Sequence, residues 1–181
     1  MKVFFSIITI VLHLVGFSQQ DVNYQHKKIS KFIKKTYNID EFSLKEIQNN
    51  NQLNGKLFII KTATDSFSTV YIGRVNSCRA DGCSIDNNST NKSFEYFDYI
   101  IAFNKDKQII NIKVYNYQAT HGQEITAKSW LKQFIHKENQ VAFSVNKNID
   151  AISGATISVY AITNDVNMIN EYLRVNLENN K

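Results

Sequence analysis

The segment from Asp150 to Ser158, with the sequence Asp-Ala-Ile-Ser-Gly-Ala-Thr-Ile-Ser, is the part of the chain richest in residues suited to chemistry. Apolar residues follow it at spacings of three and four, which is one face of an α-helix: Val159, Ile162, Val166, Ile169 and Leu173. Ser153, Gly154, Ala155 and Thr156 therefore lie at a helix entrance, where free backbone N–H groups and the helix dipole favour negative charge. Such an end can bind a phosphate, although Ser and Thr there are also ordinary N-caps.

A second polar segment, from His121 to Glu124, precedes a helix predicted over 126–135. It combines a titratable imidazole, a glycine that permits close backbone approach, and a carboxylate. The same residues also suit a plain connection between a strand and a helix. The sequence contains no G-x-S-x-G elbow and no defensible Ser-His-Asp arrangement, so it offers no visible nucleophile and base for hydrolysis.

Cys78 and Cys83 are the two cysteines of the chain, with four residues between them. In an exported protein the simplest interpretation of such a pair is a local disulfide that closes a loop. A redox-active dithiol is the second interpretation. A metal site ranks third, because the four histidines are scattered along the sequence, and no metal ligand is predicted.

The N-terminal residues 1–18 are predicted to be a secretory signal peptide, with Lys2 before an apolar run and small residues at the cleavage site. An uncleaved membrane anchor is the alternative. Cleavage would leave residues 19–181 as one domain with a net charge of +4, since 20 basic residues exceed 16 acidic ones. The chain is expected to be periplasmic or on the outer face of the membrane, and without a basic recognition module it is not predicted to bind nucleic acid.

Sequence periodicity predicts an α+β fold. We expect a first helix over 26–36 and a short second helix from Ser43, which is opened by a Ser-x-x-Glu capping box. Two further helices are expected over 126–135 and after the Asp150 segment. Residues rich in β-branched and aromatic side chains predict strands over 56–61, 69–75, 94–103, 109–117 and 141–145. A four-residue turn between the third and fourth strands favours an antiparallel hairpin. The predicted fold is a twisted, mostly antiparallel sheet flanked by N- and C-terminal helices in a single domain.

Two segments resemble the FMN-binding domain family, which includes the peripheral flavin subunits of the sodium-translocating NADH:quinone reductase and of Rnf complexes, and exported free-standing homologues. Residues 150–156 match its flavinylation motif, Asp-x-x-(Ser/Thr)-Gly-Ala-Thr, at each defined position. Residues 124–134 are similar to its Glu-bearing turn that leads to a Trp and an aromatic residue. The resemblance covers about 99–173, so 96–181 is predicted to be the FMN-binding part and 19–95 the N-terminal part of one fold. A Pro-Gly-Leu-Gly turn of the respiratory subunits is replaced by Ala119 to Gln123.

The resemblance implies that a flavin transferase uses FAD to attach FMN through a phosphoester to the Thr156 hydroxyl. Ser153, Gly154, Ala155 and Ser158 would then surround the phosphate, and Asp150 would serve recognition by the transferase. Three further residues are expected near the flavin: Trp130, which is equally suited to the core, His121 and Glu124.

The resemblance implies an exported electron carrier with covalent FMN, rather than a stand-alone enzyme, that exchanges electrons with membrane-bound or exported redox partners. The alternative is a flavin-free binding or structural module of the same fold, with a disulfide-closed loop that contacts a partner. A flavin-dependent reductase with its own small substrate is a third hypothesis, for which the sequence shows no catalytic pocket.

Overall fold

Five consecutive strands form an antiparallel sheet in which each strand pairs with the next one along the chain. The computed structural model describes residues 21–48, 53–63, 66–79, 94–137 and 142–176. Its strands are β1 Ser43–Ile47, β2 Gly55–Lys61, β3 Ser66–Arg79, β4 Phe94–Phe103 and β5 Ile109–Tyr117. The predicted hairpin between β4 and β5 is confirmed, and both strands have the predicted bounds.

Helices cover both faces of this sheet. They are α1 Lys27–Tyr37, α2 Lys128–Leu131 between 3₁₀ turns at Gln123–Thr126 and Lys132–Phe134, and α3 Thr156–Asn176. The apolar face of α1 packs on the sheet through Ile29, Phe32 and Ile33. The opposite face of the sheet packs against α2 and α3. The α+β fold with helices at its N- and C-terminal ends is therefore confirmed as a single domain.

The amphipathic pattern of α3 positions the predicted phosphate site. All five apolar residues predicted to form its inner face are at most 1 % exposed, and they pack with large side chains of the central strands, such as Tyr71, Phe97 and Tyr99. This burial fixes the rotation of α3 about its axis. The start of the helix is held beside the end of β5 and the turn that follows it. No helix within the described ranges is long and apolar enough to cross a bilayer.

The helix predicted from Ser43 is wrong, because this segment is strand β1. Lys45 pairs with Ile59 and Glu46 with Phe58 of β2, and the Glu46 carboxylate accepts a hydrogen bond from the Lys56 ammonium at 2.9 Å. The Ser-x-x-Glu spacing suits a capping box, but it is a purely local signal. Pairing with β2 instead bonds the backbone groups of this segment that face β2.

The strand predicted over 141–145 is also wrong within its described part, residues 142–145, where the structure has a turn with an isolated bridge from Val145 to Ile149. Both backbone groups of Phe143 bond to the side chain of Asn167 on α3, at 2.9 and 2.8 Å. A side-chain amide therefore replaces a neighbouring strand. The helix predicted over 126–135 is divided into α2 and its flanking 3₁₀ turns.

Candidate functional site

Helix α3 begins at Thr156, directly after a turn whose glycine adopts a left-handed conformation. Gly154 has φ +79°, and a Cβ atom built there would meet no other atom within 4 Å. Thr156 is exposed, whereas Ala155 is only 3 % exposed and packs in the core. The first turn of α3 also carries backbone N–H groups that have no partner within the helix. The threonine hydroxyl therefore lies on an open surface at the positive end of a 21-residue helix.

Trp130 holds the start of this segment from the inside. Its indole N–H donates to the Asp150 carbonyl oxygen at 2.9 Å, and the Asp150 N–H donates to the Gln133 side chain at 2.8 Å. The Trp130 ring is 7 % exposed and meets Phe134 edge to face at 5.4 Å. Trp130 thus lies in the core and fixes the backbone of Asp150, while the Asp150 residue itself is exposed.

The turn after β5 packs directly against the first turn of α3. Gly122 has φ +85°, and a Cβ atom there would lie 2.9 Å from Ser158 Oγ, 3.1 Å from Tyr117 Oη and 3.4 Å from the α-carbon of Ala155. The Tyr117 hydroxyl donates to the His121 carbonyl oxygen, which closes the turn. This position requires a glycine both for its backbone conformation and for the close approach.

Ser158 points to the inside of the fold. It is 2 % exposed, and its hydroxyl lies 2.7 Å from the hydroxyl of Ser77 on β3. Burial raises the pKa of the neighbouring Tyr117 phenol, and a hydrogen bond with Ser158 partly offsets this effect. Ser158 therefore lies on the buried side of α3, whereas Thr156 at its start and Ser153 in the preceding turn are exposed.

His121 belongs to an exposed chain of polar groups. The Thr120 hydroxyl donates to Glu95 at 2.8 Å and lies 2.9 Å from Nδ1 of His121. The Thr120 N–H donates to the same carboxylate at 3.1 Å. Glu124 is exposed on the 3₁₀ turn that follows. These contacts fix the orientation of the turn beside the α3 entrance.

The structure thus brings together three of the predicted groups: the motif, the 121–124 turn and Trp130. Sequence reasoning missed Ser77, Glu95 and Tyr117, which complete the contacts of that turn and of Ser158. Ser77 and Glu95 come from strands far away in sequence, and nothing local marks them. Tyr117 ends β5 and stacks on Phe97, with ring planes 15° apart and centroids 5.7 Å apart, so in sequence it resembles an ordinary strand aromatic.

A buried carboxylate anchors α3 further along. Asp165 is 2 % exposed and accepts hydrogen bonds from Asn54 at 2.8 Å, Tyr71 at 3.2 Å and Tyr99 at 2.5 Å. Burial raises the pKa of Asp165, whereas these three hydrogen bonds act to lower it. Burial also raises the pKa of both tyrosines. This cluster joins α3 to the sheet through polar contacts and keeps the helix in register.

The cysteine prediction lies largely outside the described residues. The backbone of Cys78 is part of β3, whereas its side chain and all of Cys83 fall outside them, as does the predicted signal peptide at 1–18. Across the ranges that the structure covers, no three His, Cys, Asp or Glu side chains are grouped so as to hold a metal ion.

Comparison with known proteins agrees with this geometry. Residues 97–170 match the model of a family described as FMN-binding domain. The match begins in β4 and ends in α3, so it includes the 121–124 turn, Trp130 and the Asp150 motif. Over these residues the chain is thus similar to the FMN-binding domain family, the same family that the sequence motifs resemble. The match supports a flavin-binding, electron-transfer role. No curated protein matches the chain.

Proposed function

We propose that the protein is an exported electron-transfer flavoprotein that carries FMN on the Thr156 hydroxyl through a phosphoester. The observation that carries this proposal is the exposed position of Thr156 at the start of α3, within the segment that matches the FMN-binding family. A hydroxyl that must react with a large donor needs an open approach. Gly154 leaves that approach clear, since even a Cβ atom there would meet nothing within 4 Å.

Attachment would be a transfer of the FMN phosphoryl group from FAD, catalysed by a separate flavin transferase. The Thr156 oxygen forms a bond to the FMN phosphorus, the pyrophosphate bond of FAD breaks, AMP leaves, and the threonine proton is lost to solvent. No external oxidant or reductant is needed. Asp150 is an exposed carboxylate held at fixed distance from Thr156, because Trp130 and Gln133 fix its backbone, and this suits recognition by the transferase.

The residues at the α3 entrance fit the single negative charge of a phosphodiester. Free N–H groups and the helix dipole favour negative charge there by about 0.3–1 kcal/mol at an exposed site. Ser153 is exposed and can donate to a phosphate oxygen. Ser158 is buried against Ser77, so we assign it to support of the helix entrance rather than to the phosphate.

Bound FMN would supply the electron chemistry, and the polypeptide would supply position and electrostatics. His121 and Glu124 lie exposed on the turn that packs against α3, where an imidazole and a carboxyl group would be close to the flavin edge. Covalent attachment suits an exported carrier, because a dissociated flavin would be lost by diffusion. Its redox partners would be membrane-bound or exported proteins. The chain would meet them either as a free protein after removal of residues 1–18, or while these residues anchor it to the membrane.

The test is retention of flavin under denaturing conditions. The full chain is co-expressed with a flavin transferase, precipitated in acid and redissolved. Flavin absorbance that stays with the protein in the parent chain and is absent from Thr156→Val supports the proposal. A parent chain that loses all flavin, despite a transferase that modifies a known acceptor in parallel, would leave the flavin-free binding module as the better account.

A further inference from the structure

Large apolar side chains are exposed on the outer face of α3. Within the described residues there are four of them, and all belong to this helix: Ile157, Tyr160, Met168 and Val175. Ile157 is 41 % and Tyr160 45 % exposed, and both lie in the first turn and a half of the helix, close to Thr156. Exposed apolar groups of this size, next to a proposed attachment point, call for a functional explanation.

The geometry of a helix directs Tyr160 toward Thr156. Residues four apart lie on the same face, and each Cα–Cβ bond is tilted toward the N-terminus. A long side chain therefore covers the turn before its own Cα. This geometry predicts that the Tyr160 ring covers the turn that contains Thr156, with Ile157 as its neighbour at a spacing of three. We name these two residues the apolar shelf.

The opposite flank of Thr156 is already filled. Gly122 approaches α3 so closely that one added carbon would lie 2.9 Å from Ser158 Oγ and 3.4 Å from the α-carbon of Ala155. A planar ring system cannot enter between the 121–124 turn and the helix without moving backbone. A group tethered to Thr156 by a phosphate and a ribityl chain also stays near the first turns of α3. Among the described residues, the two of the shelf are the exposed large apolar side chains nearest to Thr156 along the chain.

We propose that Ile157 and Tyr160 form the resting surface for the isoalloxazine ring of FMN attached to Thr156, with Tyr160 stacked on the ring. This inference rests on the proposed function. Isoalloxazine is a large, flat aromatic system, and offset stacking on a phenol ring together with contact to an aliphatic side chain removes apolar surface of both partners from water. The ring edge away from the shelf stays open to a redox partner.

Flavin fluorescence tests this stacking directly, because a phenol in contact with isoalloxazine quenches its emission. The full chain is co-expressed with a flavin transferase, and emission is measured per FMN, counted from absorbance, with attachment verified by intact mass. Tyr160→Leu should raise the emission severalfold, and Tyr160→Trp should keep it low. Tyr172→Leu is the matched control, a tyrosine of the same helix about 18 Å further along its axis, and should leave emission unchanged.

The outcomes separate the two proposals. If Tyr160→Leu carries FMN but emits no more strongly than the parent chain, the stacking inference is overturned and the attachment proposal stands. If the parent chain gains no FMN, both fail. Should Tyr160→Leu not accumulate as folded protein, unfolding of the loaded parent chain in urea serves instead. Emission that does not rise on unfolding, with FMN still attached, also overturns the stacking.

Discussion

Two glycines with the same backbone conformation but different surroundings allow the packing of the 121–124 turn on α3 to be measured. Gly122 and Gly154 have φ +85° and +79°. Substitution by alanine imposes a similar left-handed penalty at each position, about 1–2 kcal/mol. A Cβ atom at Gly154 meets nothing within 4 Å, whereas one at Gly122 lies 2.9 Å from Ser158 Oγ. The difference between the two variants therefore isolates the packing of this turn.

No neighbour of Gly122 can move away from an added methyl group without a loss of stability. Rotation of Ser158 away from the new methyl group would break its 2.7 Å hydrogen bond to Ser77. The α-carbon of Ala155, 3.4 Å from the new methyl group, belongs to the backbone and cannot rotate away. Forcing an extra carbon into such a packed site destabilises by about 1–3 kcal/mol. We therefore expect Gly154→Ala to lower the free energy of unfolding by about 1–2 kcal/mol, and Gly122→Ala by about 2–5 kcal/mol.

The assay is chemical and thermal unfolding of the flavin-free chain. For a chain of this length, 1 kcal/mol corresponds to about 2–4 °C in Tm, so Gly122→Ala should melt about 2–12 °C below Gly154→Ala. Introduction of Ser158→Ala removes the closest oxygen. The further loss caused by Gly122→Ala should then be smaller, because the two residues touch and their effects are coupled. Equal losses for the two glycine variants would refute the packing of this turn on α3.

Three further predictions concern buried polar contacts in the sheet, in α3 and beside the candidate site. Asp165→Asn should lower the free energy of unfolding by about 1–3 kcal/mol near neutral pH, because it leaves one of the hydrogen-bond donors without an acceptor. The raised pKa of Asp165 makes the parent chain less stable as the pH rises from the unfolded-state pKa through the folded-state pKa. Urea titrations across pH should show that this fall in stability is absent from Asp165→Asn. Arg74→Ala should cost about 3–5 kcal/mol in urea unfolding, since the 1 % exposed Asp98 carboxylate loses its cationic partner at 2.7 Å and keeps the neutral Asn116 amide as a donor. Trp130→Phe should slow FMN attachment severalfold in timed intact-mass measurements, because the Asp150 carbonyl loses its indole donor.

Each of these predictions has a contrary result. The pH profile of Asp165→Asn would contradict the buried carboxylate if it kept the parent slope. The control for Arg74→Ala is the exposed ion pair of Glu171 with Arg174. Glu171→Gln should change the free energy of unfolding by at most about 0.5 kcal/mol. A loss as small as this in Arg74→Ala would contradict the burial of Asp98. Unaltered attachment kinetics in Trp130→Phe would show that the indole bond has no part in presenting the motif.

Periodicity was sufficient to predict the central elements of this fold. The hairpin of β4 and β5 and the inner face of α3 follow from alternation and from spacings of three and four, because these residues face the core directly. The prediction failed where a tertiary partner overrode a local signal. The capping-box spacing at Ser43 predicted a helix, but this segment pairs with β2 as a strand. The apolar segment around Phe143 predicted a strand, but its backbone bonds to the side chain of Asn167.

The candidate site divides in the same way. Thr156, Gly154 and Asp150 form a contiguous motif, so sequence alone could identify them. Ser77 reaches Ser158 from a different strand, and such a pairing has no sequence periodicity. Asp165 lies within an apolar helix face, and its partners Tyr71 and Tyr99 come from β3 and β4; only the packed fold shows that this carboxylate is satisfied.

The most direct test of the central proposal is peptide mass spectrometry of the flavin-loaded chain. After co-expression with a transferase and proteolysis, fragmentation of the peptide that contains residues 153–158 locates any added FMN among its three hydroxyl residues. We predict that the FMN mass is on Thr156 and that Thr156→Val is unmodified. An FMN adduct on Ser153 or Ser158, or one that persists in Thr156→Val, would contradict the proposal.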